Sequence, residues 1–168
     1  RFEREAKVLD LIKHPAIVRS IARGKTPRGE PYLVLEWLDG EDLSRALEHR
    51  RPTHAEAVTL AARIASALGR AHEAGVVHRD VKPANVFLVG GRFTEPRILD
   101  FGIARLAAAT TAMTKSGTAM GTPSYMPPEQ ARGLRTIDAR ADVYAIGCVL
   151  YECVTGEPPF DGEDRKSV

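Results

Sequence analysis

The long Ala- and Leu-rich segment from Thr53 to Ala74 constrains the fold of this chain more than any other feature of the sequence. Apolar residues recur on one helical face of it: Ala57, Leu60, Ala61, Ile64 and Leu68. Such a stripe predicts a helix with one buried side, and Gly75 follows as a stop signal. A buried stripe needs a partner, and the mostly apolar segment Asp138 to Val154 predicts a second helix.

Short apolar runs and turn signals surround these helices. Ile17 to Arg23 and Tyr32 to Trp37 have strand length, and Gly24 to Pro31 between them carries the Gly and Pro of a hairpin turn. Further strand candidates are Val76-Val77, Val86 to Val89 and Arg97 to Leu99. Short β segments followed by mostly helical ones indicate an α+β domain.

Three other segments complete the pattern. Arg1 to Ile12 has apolar residues at helical spacing, and Asp42 to His49 has the length of a short helix. Gly102 to Thr122 is Ala- and Thr-rich without a period, which predicts a long loop. A loop of that length inside a domain is usually functional or mobile.

Charge and composition exclude several classes of protein. The chain has 168 residues and a net charge of +2, so charge gives no argument for binding nucleic acid or an anionic membrane. No apolar run approaches the roughly 20 residues of a membrane span. The two cysteines, Cys148 and Cys153, are too few for a metal cage or a disulfide framework and are expected in the core. We therefore expect a cytoplasmic location, with any membrane anchor in segments outside this sequence.

The eight residues from His78 to Asn85 read His-Arg-Asp-Val-Lys-Pro-Ala-Asn. This pattern resembles the catalytic loop of the protein kinases, H-R-D-x-x-x-x-N. Phosphoryl transfer needs a carboxylate to orient the attacking hydroxyl and accept its proton, an oxygen ligand for Mg²⁺, and positive charge near the transferring phosphate. The resemblance gives these roles to Asp80, Asn85 and Lys82, respectively. The competing interpretation is an exposed charged loop with an Asn turn.

The tripeptide Asp100-Phe101-Gly102 follows the strand candidate that ends at Leu99. At this distance from the catalytic loop it resembles the D-F-G segment of the kinases, which makes Asp100 the main Mg²⁺ ligand. Phe101 and His78 are then expected to pack so that they fix the direction of Asp100.

Three stretches further along the chain also resemble kinase motifs. Pro127-Pro128-Glu129 lies where the family has A-P-E, with Pro in place of Ala. Gly121-Thr122 resembles the substrate-docking loop, in which the Thr122 hydroxyl would reach Asp80 and Lys82; an ordinary turn is the alternative. Asp142 opens the second helix, and the resemblance predicts that its carboxylate braces the backbone of the catalytic loop.

The nucleotide-binding residues follow from the same resemblance. Tyr32 to Leu38 resembles the strand and hinge that hold adenine, with Leu35 guarding the back pocket. The backbone of Glu36 and Leu38 would bond the adenine edge, and Phe87 would lie under the ring. Each of these is also a plausible plain core residue.

A glutamate on the first helix completes the expected catalytic set. Similar kinases carry there the glutamate that pairs with a lysine on an earlier strand. Glu5 shares a face with Leu9 and Ile12 and is the preferred candidate, and Glu3 is its competitor.

Regulation is expected in the loop after the D-F-G segment. Arg79 directly precedes Asp80, and in kinases of this pattern it faces that loop. The residues from 102 to 121 include several Thr and Ser but no acidic side chain. A phosphate there would bring about −1.5 to −2 charges to the arginine. Thr114 and Ser116 are the first candidates for self-phosphorylation, and a flexible Thr-rich tether is the alternative.

The resemblance covers essentially the whole chain and is closest to the bacterial, eukaryotic-like (Hanks-type) serine/threonine protein kinases. It implies the two-lobe kinase fold in truncated form, with a partial small β lobe and most of the helical large lobe. The expected division is residues 1–36 in the small lobe, 37–41 in the hinge and 42–168 in the large lobe. Neither a Gly-rich loop nor the strand lysine occurs in this sequence, so we expect a fragment that is a poor catalyst alone.

The implied function is transfer of the ATP γ-phosphate to Ser or Thr hydroxyls of protein substrates, with Mg²⁺ or Mn²⁺ as the metal cofactor. From charge and apolar run length we expect no nucleic acid partner and no membrane contact for this segment, and a kinase dimer of the whole protein is left open. A pseudokinase or scaffold is the alternative, and a small-molecule kinase is a more distant one. The presence of Asp80, Lys82, Asn85 and Asp100 together favours the enzyme.

Overall fold

The computed structural model of this chain describes residues 12–99, 123–134 and 136–160. The expected loop 102–122, and all but the last residue of the expected helix 1–12, lie outside these ranges. Within them the structure is α+β, as the sequence predicts. Five strands are described: β1 (Ser20–Lys25), β2 (Pro31–Leu35), β3 (Gly40–Asp42), β4 (Val86–Val89) and β5 (Pro96–Ile98). Four α-helices are described: α1 (Leu43–His49), α2 (His54–Glu73), α3 (Pro128–Ala131) and α4 (Arg140–Thr155).

Helix α2 is the predicted long helix, and its start is fixed by local chemistry. The Thr53 side chain accepts from the Glu56 amide, while the Glu56 carboxylate accepts from the Thr53 amide. This capping box satisfies two amides that a helix start would otherwise leave unpaired. Hydrogen bonds from the Arg50 guanidinium, together with the Thr53 amide, lower the pKa of Glu56 to about 2. The helix ends as predicted, because Gly75 follows Ala74 with a φ of +75°.

The core is built around α2, which packs against α4 and β5. Four of the five predicted stripe residues of α2 are buried, whereas Ala61 is only partly buried. The burial also extends to Ala67 and Ala71, which continue the same stripe. On α4 both cysteines are free and buried, as predicted, and burial raises the pKa of the Cys153 thiol to about 12. These thiols therefore act as apolar core groups.

The strands form two separate antiparallel sheets. Strands β1 and β2 pair as a hairpin, as predicted, with Ser20 opposite Leu35 and Lys25 opposite Pro31. The second sheet has the order β3-β4-β5. A parallel bridge between Ile17 and Ile98 connects the segment before β1 to the second sheet.

One strand prediction was wrong, and one strand was missed. Val76-Val77 is not a strand, because the Val76 amide closes the end of α2 by donating to the Ala71 carbonyl. Conversely, strand β3, which begins at Gly40, was not predicted. Its pairing with Val89 of β4 is a tertiary contact, which local sequence does not reveal.

No helix in the described ranges is long and apolar enough to cross a membrane.

Candidate active site

The segment from His78 to Asn85 joins α2 to β4, and it brings three of the predicted site residues together. The Lys82 Nζ lies 3.2 Å from the Asp80 Oδ2. The Asn85 Nδ2 donates to the Asp80 carboxylate at 3.0 Å and to the Asp80 carbonyl at 2.7 Å. About a quarter of each charged side chain is exposed, at 26% for Asp80 and 22% for Lys82. The carboxylate is therefore held in one direction and still reachable from solvent.

The bonding of Asn85 also fixes the orientation of its amide. Both partners of the nitrogen are oxygen atoms that only accept here, so the NH₂ group faces them. The Oδ1 atom is then the oxygen that Asn85 can offer to a cation. An amide oxygen beside a carboxylate is a donor set that suits Mg²⁺. Asp100, the other predicted metal ligand, lies outside the described residues.

His78 lies at the base of the loop and is fully buried. Its Nδ1 accepts from the Asp80 amide at 3.2 Å, so its Nε2 carries the proton and donates to the Leu99 carbonyl at 3.0 Å. The Leu99 amide in turn donates to the Asn85 carbonyl at 2.9 Å. Leu99, the residue that precedes Asp100, is thus bound to both ends of the catalytic loop.

Asp142 braces the backbone of this loop from α4. Its Oδ2 accepts from the His78 amide at 2.9 Å, and its Oδ1 accepts from the Arg79 amide at 2.8 Å. The carboxylate is 1% exposed, and the side chain of His72 also bonds to it at 2.7 Å. The predicted bracing contact is therefore confirmed, and the link to His72 is an addition. The four-residue spacing from Leu68 to His72 places this histidine next to the buried stripe, which is a signal that sequence reasoning could have used.

Arg79, whose amide is bound by Asp142, has an unusual backbone conformation. Its φ is +65°, and no other non-glycine residue in the described ranges has a positive φ. Its guanidinium donates to the Ile137 carbonyl at 3.2 Å, and its carbonyl accepts from the Gln130 side chain at 3.0 Å. Such a conformation costs roughly 1–2 kcal/mol in a residue with a Cβ, so it needs contacts that hold it.

The comparison with known families identifies the family of this chain. The sequence profile of the protein kinase domain matches residues 1–168. This chain belongs to the protein kinase domain family. The resemblance drawn from the motifs is confirmed, and so is the assignment to the kinase fold class.

Several bacterial kinases resemble this chain. It is 46% identical to a probable serine/threonine-protein kinase of Corynebacterium efficiens, and the alignment covers all of this chain and 26% of that protein. It is 43% identical to the serine/threonine-protein kinase PknB of Mycolicibacterium smegmatis, over all of this chain and 27% of that protein. PknB of Mycobacterium tuberculosis matches to the same extent. The chain spans about a quarter of the length of these curated relatives.

The predicted adenine-binding residues of this kinase domain lie on two neighbouring elements. Leu35 ends β2, and residues 36–39 connect it to β3, which overlaps the expected hinge 37–41. The Glu36 amide donates to the Arg19 carbonyl at 2.9 Å, so the Glu36 group that can bond adenine is its carbonyl. Leu35, Glu36 and Leu38 are partly buried.

Phe87 lies on β4 beside the end of this connection. It pairs with Asp42 of β3, and the Gly90 amide at the end of β4 donates to the Asp39 carbonyl at 2.8 Å. Along β4 the buried residues are Val86 and Leu88, so the partly buried Phe87 lies on the opposite face of the strand. The predicted contact between Phe87 and the adenine ring requires the Phe87 side chain to lie on this face, away from the core.

The remaining predicted site residues have no described geometry. Glu5, Asp100, Thr114, Ser116 and Thr122 all lie outside the described residues. Their roles stay predictions.

Residues 123–134, which follow Thr122 and which we name the docking segment for its predicted role, are described by the structure. The Tyr125 hydroxyl donates to the Glu152 carboxylate at 2.6 Å, which ties the segment to α4. Burial raises the pKa of both groups. Sequence reasoning missed this pair and also missed Gln130. None of these three residues has a local signal that points to its partner.

Proposed function

We propose that this chain carries the phosphoryl-transfer site of an ATP-dependent serine/threonine protein kinase, with protein Ser or Thr hydroxyls as acceptors. The observation that carries the proposal is the Asp80 carboxylate, which Lys82 and Asn85 hold in one direction while part of it stays exposed. The similarity to bacterial serine/threonine-protein kinases over the whole chain supports it.

The chemistry assigned to the loop is a single in-line displacement. The acceptor hydroxyl oxygen forms a bond to the γ-phosphorus, the bond from that phosphorus to the oxygen bridging to the β-phosphate breaks, and ADP leaves. Asp80 orients the hydroxyl and accepts its proton. Lys82 places positive charge beside the transferring phosphoryl group.

Mg²⁺ or Mn²⁺ would neutralise the phosphate charge when bound. Asn85 Oδ1 and the Asp100 carboxylate are the oxygens proposed to hold it. Leu35, Glu36, Leu38 and Phe87 are the proposed adenine contacts. Glu5 is the proposed partner of a strand lysine, and Thr122 is the proposed docking hydroxyl.

The experiment that tests this function is an Asp80→Asn substitution in the whole protein that contains this chain. Asn cannot take the proton, so transfer of labelled phosphate from ATP should fall about 10²–10⁴-fold, the range for loss of a general base. ATP binding and the melting temperature should stay near the wild-type values. Glu48→Gln, an exposed carboxylate on α1, is the matched control and should leave transfer unchanged.

The result also separates the enzyme from the scaffold alternative. Equal phosphate incorporation by the wild-type and Asp80→Asn proteins would overturn the role of Asp80. A wild-type protein that binds ATP but transfers no phosphate would favour a pseudokinase or scaffold. Asp100→Asn should also abolish transfer, with partial recovery at raised Mg²⁺.

Regulation by self-phosphorylation belongs to the same proposal. A phosphate on Thr114 or Ser116 would supply an anion for Arg79, which directly precedes the catalytic carboxylate. Mass spectrometry of the ATP-treated protein should find phosphate at one of these sites, absent in the Asp80→Asn variant. An active kinase with an unmodified loop, unaffected by alanine at both positions, would contradict this part.

A further inference from the structure

The side chain of Gln130 reaches from the docking segment to the backbone of the catalytic loop. Gln130 lies on α3, and its Nε2 donates to the Arg79 carbonyl at 3.0 Å, across 51 positions of sequence. The carbonyl can only accept, so the NH₂ end of the side-chain amide faces the loop. Gln130 also lines a small cleft together with Asp80 and Lys82.

The carbonyl that Gln130 binds belongs to the peptide between Arg79 and Asp80. The N–H group of that peptide donates to His78 Nδ1, as described above, so both polar groups of the peptide have partners. The preceding peptide is held at its own N–H by Asp142. Because the peptide plane sets the direction of the bond from Cα to Cβ in the next residue, these contacts set where the Asp80 carboxylate points.

Net stabilisation of the fold does not explain why an amide occupies this position. The Gln130 Oε1 is buried, and no group in the described ranges bonds to it. The desolvation cost of a buried polar atom without a partner is at least as large as the net gain of the one bond that is made. An apolar side chain of the same shape would fill the space without that cost. What the amide adds is the orientation of the Arg79–Asp80 peptide.

We infer that Gln130 is a positioning residue for Asp80, through which the docking segment orients the catalytic carboxylate. The inference rests on the proposed function. It places the effect of Gln130 on the transfer step and not on nucleotide binding, because the proposed adenine contacts lie on other elements. A misplacement of reacting groups by about 1 Å can lower a rate about 10²-fold, so loss of one supporting hydrogen bond should be measurable.

The test compares two variants of Gln130 in the whole protein. Gln130→Met keeps the length and removes both polar atoms, whereas Gln130→Glu keeps the shape and the acceptors but removes the donor. Both should lower kcat about tenfold while the KM for ATP changes by less than about twofold. Arg132→Met, also on the docking segment and exposed, is the matched control and should leave both constants unchanged.

A second measurement does not depend on activity. Hydrogen exchange of the Asp80 amide should become at least about fivefold faster in Gln130→Met, because its peptide loses one of two partners, and it should not change in Arg132→Met. Wild-type kcat and wild-type exchange in both Gln130 variants would overturn the inference. Lower kcat with unchanged Asp80 exchange and a lower melting temperature would overturn it as well, since that result indicates a purely structural role.

These readouts separate this inference from the proposed function. If the wild-type protein transfers no phosphate, the proposed function fails. The exchange comparison would still decide whether Gln130 orders the Asp80 backbone.

Discussion

The catalytic loop and the β1–β2 hairpin are held in place in opposite ways. The loop is anchored by buried contacts from distant parts of the chain, with His78 at 0% and Asp142 at 1% exposure. The hairpin leaves large apolar side chains on its surface, including Ile21 at 59% and Tyr32 at 45%. It is held by its own ladder and by contacts near the surface, such as the pair of the exposed Arg19 and the partly buried Glu36, whose charged groups lie 3.9 Å apart.

This difference predicts how far a substitution acts. Surface ion pairs contribute little, whereas charge-assisted hydrogen bonds inside the protein are strong and expensive to break. A change at a remote anchor of the catalytic loop should therefore reach Asp80. A change in the hairpin should remain local.

The largest effect is expected for Asp142→Ala. Two backbone amides and His72 would lose a buried acceptor, so the free energy of unfolding should fall by about 3 kcal/mol. Phosphate transfer should fall by at least about 10²-fold, because Arg79 loses the contact that holds its strained backbone. Denaturant unfolding and a transfer assay on the whole protein measure both.

Asp138→Asn is the control for that variant. Its carboxylate is exposed and pairs only with Arg140 among the described contacts, so both quantities should stay near wild type. Equal behaviour of the two variants would show that buried anchoring does not distinguish the loop.

A pair of glycine substitutions compares the two sheets directly. In Gly40→Ala the added methyl would collide with the Leu88 carbonyl, which is backbone of β4 and cannot move aside, and the φ of +140° is itself unfavourable for alanine. We expect the free energy of unfolding to fall by about 2 kcal/mol. ATP binding should also weaken, because β3 pairs with β4 at Phe87.

In Gly24→Ala the methyl would meet the ring of Tyr32, an exposed side chain that can swing into solvent. The loss should stay below about 0.5 kcal/mol. Thermal melts and nucleotide titration of both variants provide the measurement. A cost in Gly24→Ala as large as in Gly40→Ala would contradict the view that the hairpin yields locally.

A smaller effect than that of Gly40→Ala is expected for Tyr125→Phe, and it depends on pH. Burial raises the pKa of Glu152 above 4.5, while the hydrogen bond from Tyr125 lowers it. A carboxyl whose pKa is raised by folding stabilises the fold fully below pH 4.5, and this contribution is lost as the pH rises through the folded pKa. Removing the Tyr125 hydroxyl raises the folded pKa of Glu152 further, so more stability is lost as the pH rises.

The variant should therefore match the wild type near pH 4 and be less stable by about 1 kcal/mol at pH 8. Urea unfolding across this range measures the difference. Tyr151 is an exposed tyrosine that lies beside Glu152 on α4, and Tyr151→Phe should show no such pH dependence. A difference that is constant with pH would contradict the explanation by Glu152.

Much of the fold followed from periodicity and turn signals. Helix α2 matches the predicted segment Thr53 to Ala74 within one residue at each end, because an apolar stripe and a following glycine are local features. The hairpin followed from turn residues between two apolar runs. Strand β3 did not follow, because three residues become a strand only by pairing with β4.

The sequence by itself determined the catalytic loop as a chemical unit. Asp80, Lys82 and Asn85 lie within six positions of one another, so a short turn suffices to bring them together, and the motif predicted their roles. Asp142 was predicted as a brace only through the resemblance to the kinases. Local spacing carries no information on a contact across more than sixty positions.

Tertiary structure alone decided how that unit is oriented. The bonds from Gln130 to the Arg79 carbonyl and from His72 to Asp142 join elements that are remote in sequence. Neither residue belongs to a recognisable motif, because their partners are a backbone carbonyl and a buried carboxylate that only packing brings near. The physical reason is that the direction of Asp80 depends on two peptide planes, and those planes are fixed by contacts from Asp142 of α4, from the buried ring of His78 and from the docking segment.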